Sequence, residues 1–131
     1  MIGLDTNVIV RFLVEDDRRQ SARARTLITA AIADNTQLYL SDIVMCETVW
    51  VLESAYGFGR DEVASVLNQL LSARQLTFRS ADRMRQAVDS YATGKGDFAD
   101  YLIRADATDA GCESVVTFDR TLHRETCFRA P

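Results

Sequence analysis

One histidine, His123, is all this chain has, and no Ser/His/Asp or Cys/His site can be assembled around it. A lone histidine more often packs or caps than catalyses. Cysteine is scarce as well. Cys46, Cys112 and Cys127 are odd in number and widely spaced, so neither a disulfide framework nor a zinc knuckle fits. The only proline is Pro131, so nothing in the interior forces a helix to break. No apolar run approaches the ~20 residues of a membrane span. An acid stands at position 5 with no basic segment before it, unlike a signal peptide. These absences together point to a soluble, cytoplasmic protein with no membrane partner. Acid–base chemistry must then rest on carboxylates or on metal-bound water.

Carboxylates are what the chain has. It carries 19 Asp and Glu against 15 Lys and Arg, a net charge of −4. Five of the acids, considered below, are candidates for one site; without them 14 acids face 15 bases and the rest of the surface is close to neutral. Lys95 is the only lysine, so nearly all the positive charge is arginine, the better bidentate partner for phosphate. At 131 residues with 47% hydrophobic content, the chain is expected to be one domain, residues 1–131, burying roughly two-thirds of its unfolded surface.

The hydrophobic pattern alternates short apolar runs with helical periodicities. Met1-Ile2-Gly3-Leu4, Gln37 to Leu40, Leu76-Thr77-Phe78 and Ser114 to Phe118 read as strands, with a weak last one around Phe128. The first and the fourth read as buried strands of a parallel sheet. Helices are expected from Asn7 to Leu13 with Thr6 as cap, from about Asp17 to Ala33, and after a Ser41 or Asp42 cap to Gly57. Three more should run from Asp61 through Leu71, from Ala81 to Ala92 and from Phe98 to Ala110, with Gly111 as C-cap. On the second helix Ala24, Leu27, Ile28, Ala31 and Ile32 form the apolar face. The class is α/β, a small parallel-type sheet of four to five strands flanked by helices.

Asp5 and Asp119 end the first and the fourth apolar runs. Ligands of open α/β sheets bind outside the carboxyl ends of the strands, where these two acids belong. Glu47 shares a helix side with Ile43, Val44, Trp50, Val51 and Ala55, and a carboxylate on a core-facing stripe is costly unless it is paired or holds a metal. A boundary glutamate paired to an arginine is the alternative. Asp97 and Asp100 are one helical turn apart, though Asp97 has a second explanation as helix N-cap. Five acids that converge repel one another unless a cation lies between them, and a divalent metal with carboxylates suggests phosphodiester chemistry. Thr6 and Thr117 lie beside strand-end acids, where a hydroxyl orients a carboxylate or caps a turn. Arg11, Arg18, Arg19, Arg120 and Arg124 lie near the expected rim and could hold the phosphates of such a substrate.

The motifs then come in a familiar order. Met1-Ile2-Gly3-Leu4-Asp5-Thr6-Asn7-Val8, Glu47 with Trp50 three residues on, Asp97-Phe98-Ala99-Asp100-Tyr101-Leu102-Ile103 and Thr117-Phe118-Asp119 resemble the ordered motifs of PIN-domain ribonucleases. The similarity is strongest to the VapC-type toxins of bacterial toxin–antitoxin modules, and it covers essentially the whole chain. It implies a PIN-like fold and places the family's four acids at Asp5, Glu47, Asp100 and Asp119, with Asp97 a frequent extra. It implies Mg²⁺ or Mn²⁺ on these carboxylates, with Thr6, Asn7 and Thr117 around them, and a water positioned for attack on RNA. A cognate antitoxin and a homodimer are implied as partners. The other readings are a housekeeping PIN-type RNA-processing nuclease and a catalytically silent PIN binding module. A phospho-receiver domain needs an acidic pair after its first strand and a late lysine. A haloacid-dehalogenase-like phosphatase needs an Asp where Asn7 stands.

Overall fold

The computed structural model describes all residues, Met1–Pro131. The chain divides into two compact units, Met1–Arg79 and Ser80–Pro131.

The N-terminal unit holds β1 (Ile2–Gly3), α1 (Thr6–Leu13), α2 (Arg18–Ala33), β2 (Leu38–Leu40), α3 (Asp42–Ser54), α4 (Arg60–Ser72) and β3 (Leu76–Phe78). Its sheet has the order β1-β2-β3, parallel throughout, with Ile2 opposite Leu38 and Leu38 opposite Leu76. Helices intervene between strands because parallel neighbours need a crossover. Side chains set the helix starts. Asp17 accepts from the Gln20 amide at 3.0 Å and Ser41 Oγ from the Val44 amide at 3.1 Å, each cap being worth about 1 kcal/mol. At α4 the reciprocal bond runs from the Gly59 amide to Glu62 Oε1 at 3.1 Å. Central β2 supplies fully buried Leu38 and Leu40, joined in the core by Met45, Leu52, Val63 and Leu67.

The C-terminal unit holds α5 (Ala81–Thr93), α6 (Phe98–Asp109), β4 (Val115–Val116), a 3₁₀ turn (Leu122–Arg124) and β5 (Phe128–Arg129). β4 and β5 pair in parallel. Here the buried side chains are Met84, Val88, Tyr91, Phe98, Tyr101 and Leu122, with Tyr91 and Phe98 edge to face at 5.9 Å. The end of α6 is a Schellman motif: Gly111, at φ +91°, donates to Thr108 and Cys112 donates to Ala107.

The α/β class and the five strands are those expected, but the strands form two parallel sheets, one in each unit. Three further details differ. β1 is exposed and β4 half-exposed rather than buried, because each is two residues long and pairs on one side only. Asp5, not Thr6, is the N-cap of α1; Thr6 is the first helical residue and is buried. On α2 the buried face is Ser21, Ala24 and Ala31, and Ile32 is exposed. No helix is long and apolar enough to cross a membrane.

Candidate acidic site

In the C-terminal unit the acids meet at the start of α6. Asp97 is the N-cap, exposed, with extended backbone. Its amide donates to Asp100 Oδ2 at 2.9 Å, so the half-buried Asp100 is the residue whose carboxylate closes the first turn. Burial pushes the Asp100 carboxyl up from its ordinary value. The bond from the Asp97 amide opposes that shift, and the negative charges of Asp97, Asp119 and Glu125 add to it. All three acids are therefore felt at Asp100.

Asp119 sits in a turn built by its neighbours. Its Oδ1 accepts from the Thr121 amide at 2.9 Å, and its own amide donates to Thr117 Oγ1 at 3.1 Å. Thr117 is thus a turn-forming residue that orients the backbone of Asp119. His123 Nε2 lies 2.7 Å from the Thr117 carbonyl, so it donates there and the histidine has a structural task. Glu125, which sequence reasoning missed, follows the 3₁₀ turn and accepts from the Tyr101 hydroxyl at 2.8 and 2.7 Å. Nothing in the stretch Arg124-Glu125-Thr126 marks it; only the turn brings it toward Asp100.

The other expected residues lie in the N-terminal unit. Asp5 is exposed and its carboxylate makes no cap bond; its carbonyl accepts from the Val8 and Ile9 amides. The Thr6 hydroxyl is buried with no partner, so it does not orient Asp5. Asn7 is exposed at the lip of a groove of about 470 Å³ shared with Val8, Arg11, Gln20, Arg23 and Leu27. Glu47 corrects the sequence argument most sharply. The buried face of α3 is Val44, Met45, Thr48, Val49 and Leu52, while Glu47 is exposed beside Ile43 (72% exposed) and Trp50 (69%). Thr48 can lie in the core because its hydroxyl donates to the Val44 carbonyl at 2.7 Å. The cost of a buried carboxylate therefore does not argue for Glu47.

The arginines divide too. Arg11 is committed inside the N-terminal unit, donating to Gln20 Oε1 at 2.6 Å, Asp16 Oδ1 at 3.1 Å and the Tyr56 hydroxyl at 3.2 Å. The Tyr56 hydroxyl donates to Asp16 Oδ2 at 2.5 Å and, with Arg11, holds the Asp16 carboxyl below its ordinary value. This guanidinium holds the protein's own carboxylate, Asp16, in the structure. Arg18, Arg19, Arg120 and Arg124 are exposed and unpaired. Asp106 and Asp109, on α6, pair with Arg83. The three cysteines are free, and burial pushes the Cys46 thiol up to about 11, where it is inert.

The donors around Asp100 are all hard carboxylate oxygens, suited to Mg²⁺ or Mn²⁺. No three His, Cys, Asp or Glu side chains form a ready metal cage. Alternating strands and helices, strand-end acids and an acid pair opening α6 define a class, and residues 2–127 match the PIN domain pattern: the chain belongs to the PIN domain family. Among its relatives is a VapC ribonuclease of Aquifex aeolicus (strain VF5), 25% identical over 117 residues that cover 89% of this chain and 86% of that one.

Proposed function

We propose that this chain is a divalent-metal-dependent endoribonuclease acting as the toxin of a toxin–antitoxin pair. Family membership and the VapC relative support the nuclease and toxin reading. The observation that carries the metal is Asp100: a half-buried carboxylate among the like charges of Asp97, Asp119 and Glu125 is electrostatically unfavourable in the absence of a cation. Asp100, Asp119 and Asp97 are the residues that would hold Mg²⁺ or Mn²⁺. Asp5 and Glu47 enter through the family's acid pattern, and both are exposed. When bound, such an ion supplies Lewis acidity, lowering the pKa of a water and neutralising charge on the phosphate.

The chain's own residues then do the rest. Asp100 keeps one oxygen on the Asp97 amide and leaves Oδ1 for the ion or for a proton. Asp119, fixed through Oδ1 by the Thr121 amide, offers its second oxygen in the same way. Arg18, Arg19, Arg120 and Arg124 are the free guanidinium groups for RNA phosphates. In this reading residues 1–131 act as one PIN domain in the cytoplasm, dimerise, and are silenced by a cognate antitoxin. The test is incubation of purified protein with mixed RNA in Mg²⁺ or Mn²⁺. Cleavage that EDTA abolishes is expected, and cleavage undiminished by EDTA overturns the metal mechanism.

A further inference from the structure

Tyr101 lies between the two segments that carry the C-terminal acids. Its side chain is buried, and its hydroxyl is used in both directions. It accepts from the Gly96 amide at 2.9 Å and donates to Glu125, whose two oxygens are 2.8 and 2.7 Å away. Gly96 immediately precedes Asp97, and Glu125 closes the 3₁₀ turn that follows Asp119. One hydroxyl thus connects the loop before Asp97 and Asp100 to the turn after Asp119.

The two glycines show how closely the loop is drawn onto this pair. A Cβ at Gly94 would overlap the Tyr101 hydroxyl and lie 2.7 Å from Glu125 Oε1, and one at Gly96 would lie 2.6 Å from Leu122 Cδ2. A separate tie holds the same region without touching the loop: Arg104 donates to the Thr126 carbonyl at 3.0 Å and stacks over the Tyr101 and Phe128 rings. Removing only the Tyr101 hydroxyl therefore removes this bridge while the Arg104 tie holds α6 to the following segment.

We propose that Tyr101 is a positioning residue of the acidic site: by bridging Gly96 and Glu125 it sets the spacing of Asp97 and Asp100 relative to Asp119. The inference rests on the metal-dependent reading above and concerns how its carboxylates are held. Outer hydrogen bonds of this kind change metal affinity or activity by roughly 10–100-fold when lost.

Glu125 allows geometry to be separated from charge. Glu125→Gln removes the charge and keeps an oxygen for the hydroxyl, whereas Glu125→Ala removes both. Calorimetric titration with Mn²⁺ alone, beside RNA cleavage at saturating Mn²⁺, reads the difference. Tyr101→Phe and Glu125→Ala should each bind Mn²⁺ roughly 10–100-fold more weakly, and the double variant no more weakly than either, since both remove one bridge. Glu125→Gln should stay within about threefold of Glu125 itself. Equal losses in Glu125→Gln and Glu125→Ala would make charge the cause and overturn the proposal. So would a Tyr101→Phe protein that binds like its parent. A parent that binds no Mn²⁺ overturns the metal reading, and this inference with it. Should Tyr101→Phe fail to fold, the Glu125 pair, on a half-exposed side chain, decides alone.

Discussion

Asp5 and Asp100 are both acids at the start of a helix, yet the two units treat them in opposite ways. Asp5 caps α1 with its backbone only and leaves its carboxylate exposed to water. Asp100 is half buried and bonded to the Asp97 amide, and burial, with the charges of Asp97, Asp119 and Glu125 adding to it, pushes its carboxyl up from the ordinary value. Polar organisation in the N-terminal unit is spent elsewhere, on Arg11, Asp16, Tyr56 and Gln20. An exposed carboxylate is a donor that solvent keeps charged at little cost. A crowded one stores repulsion that a cation relieves, so the C-terminal unit is where substitution should change chemistry most.

The sharpest way to break this comparison is to neutralise one acid in each class. Asp100→Asn is expected to lower RNA cleavage by more than the roughly 10–100-fold that loss of an outer hydrogen bond costs, with the fold intact because Asn keeps an oxygen for the Asp97 amide. Asp97→Asn should retain measurable cleavage. Single-turnover rates at saturating Mn²⁺ check both. An active Asp100→Asn beside a dead Asp97→Asn would make the exposed N-cap acid the principal one.

Next in size is a steric contrast. Gly94→Ala forces a methyl onto the Tyr101 hydroxyl and within 2.7 Å of the Ser90 carbonyl, in a unit with no slack there. Overpacking of this kind costs about 1–3 kcal/mol. Gly3→Ala, on edge strand β1 with nothing within 4 Å of the new Cβ, should be close to neutral. Neither glycine has a positive φ, so the difference is packing alone. Urea midpoints measure it, and equal midpoints would mean that the loop moves aside freely.

The arginines give a smaller, two-sided effect. Arg11→Ala removes three hydrogen bonds from an ordered network and should cost about 1 kcal/mol, without a specific change in RNA affinity. Arg19→Ala removes an unpaired surface charge, so stability should change by less than about 0.5 kcal/mol. If Arg19 holds a phosphate, the slope of log affinity against log salt should fall by about 0.7 for single-stranded RNA. Thermal melts and a salt series on catalytically inactive Asp100→Asn protein separate the two roles. A salt slope that falls for Arg11→Ala alone would reverse the assignment.

Most of the fold was legible because apolar runs and caps are local signals. Ser41, Asp17 and Gly111 each announce a boundary, and each caps as its residue type dictates. What failed was orientation. Ile43, Val44, Trp50 and Val51 look like one stripe, but side chains 100° apart per residue leave room for an adjacent face, and Val44, Met45, Thr48 and Leu52 are the ones buried. A threonine bonded to its own helix in the core hides that face from a hydropathy reading. The acids at 5, 97, 100 and 119 are visible as residues after apolar runs and glycines. Glu125 and the task of Tyr101 are not, because both depend on a turn that folds the chain back on α6. The pairing of Arg11 was hidden too: its partners Asp16 and Tyr56 are 5 and 45 residues away, and the distant one leaves no local trace.

The smallest effect tests the stored repulsion itself. In the absence of divalent metal, Asp100 holds a proton more tightly folded than unfolded, since burial and three neighbouring acids raise its pKa in the folded protein only. An acid with a raised folded value destabilises the fold when ionised, so its contribution improves as pH falls from neutral toward that value and is least favourable above it. The sign is opposite to that of Asp16, whose lowered value gives stability above the ordinary carboxylate range and loses it in acid. Asp100→Asn keeps the bond from the Asp97 amide and removes the charge. In EDTA it should therefore be as stable as the parent or more so near pH 7, with the gap closing as pH falls toward the carboxylate range. Asp100 is partly in water, so the gap should be small. Paired thermal melts across that range measure it, and a gap that widens as pH falls would show that Asp100 is stabilised as an anion and that its neighbours store nothing.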